Sequence, residues 1–132
     1  MVFESNAAPT SHLQFMDWYE QQTQWAESHS YDDPKVSTPK LREWFMEIIQ
    51  SFPPLNGPLS QDDLPEDEAS ATDYSVGKSV IYCAFAWSKA EPAYDTVFKL
   101  AQKHGVGFFN VSSGNEEVWL PSKEKLSLAH SK

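Results

Sequence analysis

Eight carboxylates, Glu43, Glu47, Asp62, Asp63, Glu66, Asp67, Glu68 and Asp73, fall in the thirty-five residues between Arg42 and Lys78, uninterrupted by Lys or Arg. Grouped carboxylates suit three chemistries: acid/base catalysis, divalent-metal binding, and electrostatic recognition of a cationic surface. Catalysis needs two carboxyl groups held rigidly, with their pKa values pushed apart by their surroundings. Asp62, Asp63, Glu66, Asp67 and Glu68 instead lie in an irregular stretch at 53–73, whose only large apolar side chains before Tyr74 are Leu55, Leu59 and Leu64. A connection of that length without its own hydrophobic pattern is usually functional or disordered. Recognition of a basic partner is therefore the reading these residues support, with Asp73 at the end of the stretch as part of the surface.

The charge is unevenly divided. Residues 1–77 hold fourteen acids and three bases, a net of −11, and residues 78–132 hold five acids and seven bases, a net of +2, which gives the whole-chain value of −9. Such a field repels nucleic acid and anionic lipid and steers a basic protein toward the acidic half. Aromatic stacking on nucleotides would also want interleaved cations, and residues 1–34 contain none.

Other reactive residue types are sparse. Cys83 is the single cysteine, so an internal disulfide and a multi-cysteine zinc site are excluded. It sits in the apolar run 79–87, where burial disfavours a thiolate. His12, His29, His104 and His130 are not spaced as a metal-ligand pair, and neither a metal nor an organic cofactor is expected. No Gly-x-Ser-x-Gly elbow and no glycine-rich phosphate loop is present, since Gly105-Val106-Gly107 precedes a strand pattern rather than a helix. No catalytic residue is assigned.

The elements that must position these groups fit one domain. The 132 residues include five Trp, five Tyr and eight Phe, enough rings to build a core without staples. Met1 to Ser5 reads as a short edge strand. Phe15, Trp18, Tyr19, Gln22 and Trp25 recur at helical spacing, which predicts a helix from about Ser11 to Glu27. Thr38-Pro39 opens a second helix, with Leu41, Trp44, Phe45, Ile48, Ile49 and Phe52 as its apolar stripe. The run Val80 to Trp87 is apolar on both alternating faces, the mark of a central strand. Ser88 and Glu91 form a capping box for a third helix that ends at His104-Gly105. Val106 to Val111 and Glu116 to Leu120 then make a hairpin. The expected architecture is α+β, a mostly antiparallel sheet of about four strands packed with three helices over 1–120, with 121–132 as a flexible tail.

Several segments carry a resemblance. Ser51-Phe52-Pro53-Pro54-Leu55-Asn56-Gly57-Pro58, Asp73-Tyr74-Ser75-Val76-Gly77, Ala84-Phe85-Ala86-Trp87-Ser88-Lys89-Ala90-Glu91 and 101–109 resemble a group of small stand-alone bacterial α+β proteins. Members are mostly uncharacterised, and some resemble immunity proteins paired with interbacterial toxins of the Rhs or type VI class. The resemblance covers most of residues 1–120 and implies a non-enzymatic immunity protein that occludes the active site of a cognate toxin domain. Toxins of the nuclease or ADP-ribosyltransferase type often present basic clefts, which an acidic surface can enter. Trp119, on the terminal hairpin, is the expected aromatic anchor.

The rival reading is an enzyme or a small-ligand-binding domain, with a pocket between helices and sheet lined by Tyr31, Trp44, Tyr74 and Trp87. A homodimer formed through an edge strand is compatible with either. Met1 to Ser11 contains no Lys or Arg and no apolar run of signal-peptide length, so the expected compartment is the cytoplasm, without a membrane anchor.

Overall fold

The computed structural model describes residues 1–55, 57–60 and 68–132. The described elements are β1 (Val2–Phe3), α1 (His12–Gln22), α2 (Pro39–Ile48), β2 (Asp73–Val76), β3 (Val80–Ala84), α3 (Ala90–His104), β4 (Gly107–Phe109), β5 (Val118–Ser122) and β6 (Lys125–His130). Single 3-10 turns lie at Ser5–Ala7, Pro34–Val36, Glu68–Ser70 and Trp87–Lys89. The fold is α+β with three α-helices, and every neighbouring pair in its sheet is antiparallel.

The sheet has six strands rather than about four, in the order β2-β3-β1-β4-β5-β6. The strands beyond those four are β2 and β6, and two placements depart from expectation, both in segments with weak patterns. β1, expected at an edge, is instead central: Val2 pairs with Ile81 on one side and Phe108 on the other, and Phe3 pairs with Val80 and Gly107. Two residues are too few to show periodicity, so a sequence cannot reveal their neighbours. The segment expected to be a flexible tail forms β6, which pairs with β5 from Ser122↔Lys125 to Val118↔His130 across a bulge at Val118/Trp119. Its anchor is Leu126, buried beneath α3, where the Leu126 amide donates to Gln102 Oε1 at 3.1 Å. Lys123 and Glu124 make the tight turn between the strands with φ of 51° and 65°. That left-handed conformation is one β-hairpin turns require, but Lys-Glu does not advertise it as Asn-Gly would.

Side chains on successive strand positions point to opposite faces. On one face Val2, Ile81, Tyr74, Val76, Phe108 and Leu126 pack with Leu41, Trp44, Phe45 and Ile48 of α2 and with Ala93, Val97 and Ala101 of α3. On the other, Phe3, Val80, Phe109 and Val118 pack with Phe15 of α1. Helices therefore cover both faces, and β3 is apolar on both for the reason the sequence suggests. Among the described residues no helix is long and apolar enough to cross a membrane.

The helices differ in how closely they follow expectation. α2 starts at Pro39, where the missing amide costs nothing, and the Arg42 amide donates to Thr38 O at 2.9 Å. α3 closes on Gly105 at φ 70°, as a left-handed glycine cap should. Its start departs from the expected capping box: Ser88 lies in the 3-10 turn, and the N-cap is Lys89, without a side-chain cap bond. α1 stops at Gln22, short of Glu27, because Thr23 Oγ1 bonds back to Tyr19 O at 3.0 Å and Trp25 turns left-handed at φ 54°. That turn sends the Trp25 ring against Tyr31 and Tyr82.

Gly107 is the tightest point of the sheet. A Cβ there would run into the Phe3 ring, which lies across β4. Phe3 is fully buried and cannot swing into solvent without emptying the core under α1. Gly107→Ala should destabilise the protein by about 2 kcal/mol or more, the scale of overpacking in a close-packed core. Urea unfolding measures this, and an unchanged midpoint would mean that Phe3 has room to move.

Candidate functional site

β3 and β4 each run antiparallel to β1 and are therefore parallel to each other across it. Pairing with β1 reaches only to Met1, whose carbonyl accepts the Phe109 amide at 2.9 Å. Beyond that point β3 continues to Ala84 and β4 leads into Asn110 and Val111. The space between them is a cleft of about 670 Å³, walled on its third side by the first turns of α3. The carboxyl ends of β3 and β4 both open into it.

Tyr82, Cys83, Ala84 and Phe85 line one wall, Asn110 to Ser113 the opposite one, and Trp87, Glu91, Tyr94 and Asp95 the helix side. Trp87 is 96% exposed, an extreme value for a ring that could bury a large apolar area. Tyr94 is also exposed at its edge, but its ring is held by stacking on Phe98 at 6.1 Å and by edge contact with Phe108 at 5.5 Å. Partial burial and the charges of Glu117 and Asp95 push the Tyr94 hydroxyl above its ordinary pKa, so it stays a neutral donor. Glu91 and Asp95 are exposed, and the described lining contains no Lys, Arg or His. The mouth therefore offers rings and negative charge.

The floor is chemically quiet. Burial lowers the pKa of the Met1 amino group, which donates to Phe109 O at 3.1 Å. Burial also pushes the Cys83 thiol up to about 12, with only slight relief from that amino group. A thiol kept neutral by burial is a poor nucleophile. Among the described residues no group of three or more His, Cys, Asp or Glu converges to hold a metal ion. Burial thus holds both the thiol and the amino group toward their neutral forms.

The residues singled out from the sequence are scattered. Asp62, Asp63, Glu66 and Asp67 lie outside the described residues, as does the side chain of Glu68. The base of their segment is pinned: the Leu55 amide donates to Thr72 O at 2.9 Å and the Thr72 amide to Pro53 O at 2.8 Å. The turn Glu68–Ser70 lies against the turn Trp87–Lys89, so the end of the acidic stretch adjoins the cleft mouth. Asp73 is exposed on β2 opposite Ala84, at the same end of the sheet. Trp119 is half-buried: its ring meets Phe98 edge-on at 5.3 Å, and its Nε1 is buried without a described partner.

The proposed aromatic pocket does not form. Trp44 is fully buried in the core with Nε1 directed at Val97 O, 3.5 Å away. Tyr74 is buried, its hydroxyl donates to Phe52 O at 2.7 Å, and burial raises its pKa. Tyr31 packs on Trp25 and His29, and its hydroxyl accepts the Glu27 amide at 2.6 Å. Of the four, only Trp87 lines the cleft.

Glu91, Tyr94, Asp95 and Asn110 were not singled out from the sequence. The usable signal was their place just after apolar strands, at the strand-to-helix turn where crevices form. Two of the eight grouped carboxylates also have ordinary settings. Glu47 accepts from Lys103 Nζ at 2.8 Å and pairs with His104 Nε2 at 2.9 Å, which joins α2 to α3 and lowers the Glu47 pKa. Glu43 lies 4.0 Å from the same imidazole.

Comparison with protein-family models, with curated proteins and with solved structures finds no match to this chain. The geometry is therefore the basis for a functional reading.

Cys83 lines the cleft, yet its raised pKa should keep it inert. At pH 8 its reaction with a disulfide reagent such as DTNB should be at least about a hundredfold slower in the native protein than in urea, because only thiolate attacks. A native rate near the unfolded one would reveal an activated thiol and overturn the non-covalent reading of the cleft.

Proposed function

We propose that the protein is a non-enzymatic binding domain of the immunity type, which neutralises a cognate toxin by seating a basic, aromatic-accepting surface of it on the mouth of the cleft. The observation that carries this reading is Trp87, almost wholly exposed at the rim beside Glu91, Tyr94 and Asp95. Solvated tryptophan gains most when a partner covers it, and Trp and Tyr dominate the energetics of protein interfaces. Carboxylates around it favour Arg and Lys on the partner, which can also stack on the rings. The described end of the acidic stretch, Glu68–Ser70, lies beside the same rim, which supports a steering role for that stretch. Resemblance to immunity proteins supplies the partner class, and charge complementarity supplies the mode.

A second reading, a small-ligand-binding domain, is favoured by the cleft itself. Its volume of about 670 Å³ lies within the range of small-molecule sites, and its walls combine rings with a few polar groups.

The test is co-expression with the toxin-like domain encoded beside the gene, scoring growth rescue and co-purification together. Rescue with a stable complex is expected. Trp87→Ala should then weaken binding about thirtyfold, equivalent to a hot-spot loss of about 2 kcal/mol. Glu91→Lys with Asp95→Lys should slow association and flatten its salt dependence. Rescue without a complex would overturn occlusion. An unchanged affinity in Trp87→Ala would remove the cleft mouth from the interface.

A further inference from the structure

Away from the cleft, three chain segments meet through two histidines. His12 Nδ1, in the first turn of α1, lies 2.7 Å from His130 Nδ1, at the end of β6. His12 Nε2 lies 3.1 Å from Glu116 Oε1, in the turn before β5. Glu116 reaches it from a left-handed backbone at φ 51°, which non-glycine residues seldom adopt. His130 Nε2 is buried and has no hydrogen-bond partner among the described residues. Glu116 is the charged group facing the pair. α1 adds the Phe15 ring at 5.5 Å and β5 adds Val118, both apolar. The Lys132 amide donates to Asn115 O at 2.7 Å, which draws the chain past β6 along the same turn.

Proton positions follow from this geometry. His12 Nε2 must carry hydrogen, because it faces a carboxylate. One hydrogen, and only one, fits between two Nδ1 atoms at 2.7 Å. The neutral pair fills those two places: His12 donates from Nε2 to Glu116, and His130 donates from Nδ1 to His12. A third proton has one place left, His130 Nε2, where its N–H would be buried without an acceptor. A fourth has none, since two N–H groups would meet head to head.

We infer that His12 and His130 form a proton-limited clasp, which holds the end of β6 to α1 near neutral pH and opens as acid loads the second imidazole. This lies outside the proposed binding role of the cleft and uses none of its residues. The sign is consistent with the lowered pKa of His130, caused first by burial and then by the His12 charge. A histidine pKa depressed in the folded state contributes no penalty above its unfolded value near 6.5, and stability is lost as pH falls from there toward the folded value.

Imidazole NMR and amide exchange on the wild-type protein test the clasp directly. Expected at pH 7.5 are the Nε2–H tautomer at His12 and the Nδ1–H tautomer at His130. Between about pH 6.5 and 5 the protection of the amides at 125–130, corrected for intrinsic exchange, should fall by up to about tenfold per pH unit, as uptake of one extra proton by the open form requires. Protection in β3 should persist. His12→Gln combined with His130→Gln, which leaves no imidazole to take up the extra proton, should make β6 protection independent of pH over that range. Two histidines titrating independently near 6.5, with β6 protection unchanged, would overturn the proposal, whatever the stability of the variant.

Discussion

Everything in this fold hangs on the burial of Val2 and Phe3 between β3 and β4. Adjacent strands lie about 4.8 Å apart, so without β1 the two parallel strands would leave a gap about twice that width. Val2 faces the core under α2 and α3, and Phe3 faces the core under α1. Each of these fully buried side chains contributes about 1.5–3 kcal/mol through removal from water. Because one dipeptide serves both cores, disturbance at Gly107 or Phe3 is felt on both sides of the sheet.

The candidate site lies at the same end of the sheet. β3 and the chain beyond β4 flank a cleft there, and the first turns of α3 wall its third side. Tyr82, Phe85, Tyr94 and Phe108 line the cleft without filling it, and Trp87 stands in solvent on the 3-10 turn. Around its mouth stand Trp87, Tyr94 and the carboxylates Glu91 and Asp95 on the α3 side, with Asn110 to Ser113 on the β4 side.

The protein's excess of acid divides by setting. Glu47 joins two helices through Lys103 and His104, Glu27 receives His29 and the Lys78 amide, and Glu116 fixes His12. These carboxylates are partnered and partly screened, and they serve architecture. Glu91, Asp95 and Asp73 are exposed at one end of the sheet, beside the described end of the acidic stretch. Exposed like charges sum in the local potential, so these carboxylates make that end of the sheet more negative.

The sequence by itself determined the class of fold, the stripe of α2, the two-faced character of β3, the glycine stop of α3 and the acidity of one half. Each is a local pattern: a period of 3.6 or 2, a cap residue, a charge count. It did not determine that Met1 to Phe3 lies at the centre of the sheet, that 125–130 is a strand, or that Trp44 and Tyr74 belong to the core while Trp87 does not. Those outcomes depend on partners far away in the chain. Val2 meets residues 81 and 108, and His12 meets residue 130. Only tertiary structure could decide them, because a two-residue strand and a lone imidazole carry no periodicity, and their neighbours are fixed by close packing rather than by adjacent sequence.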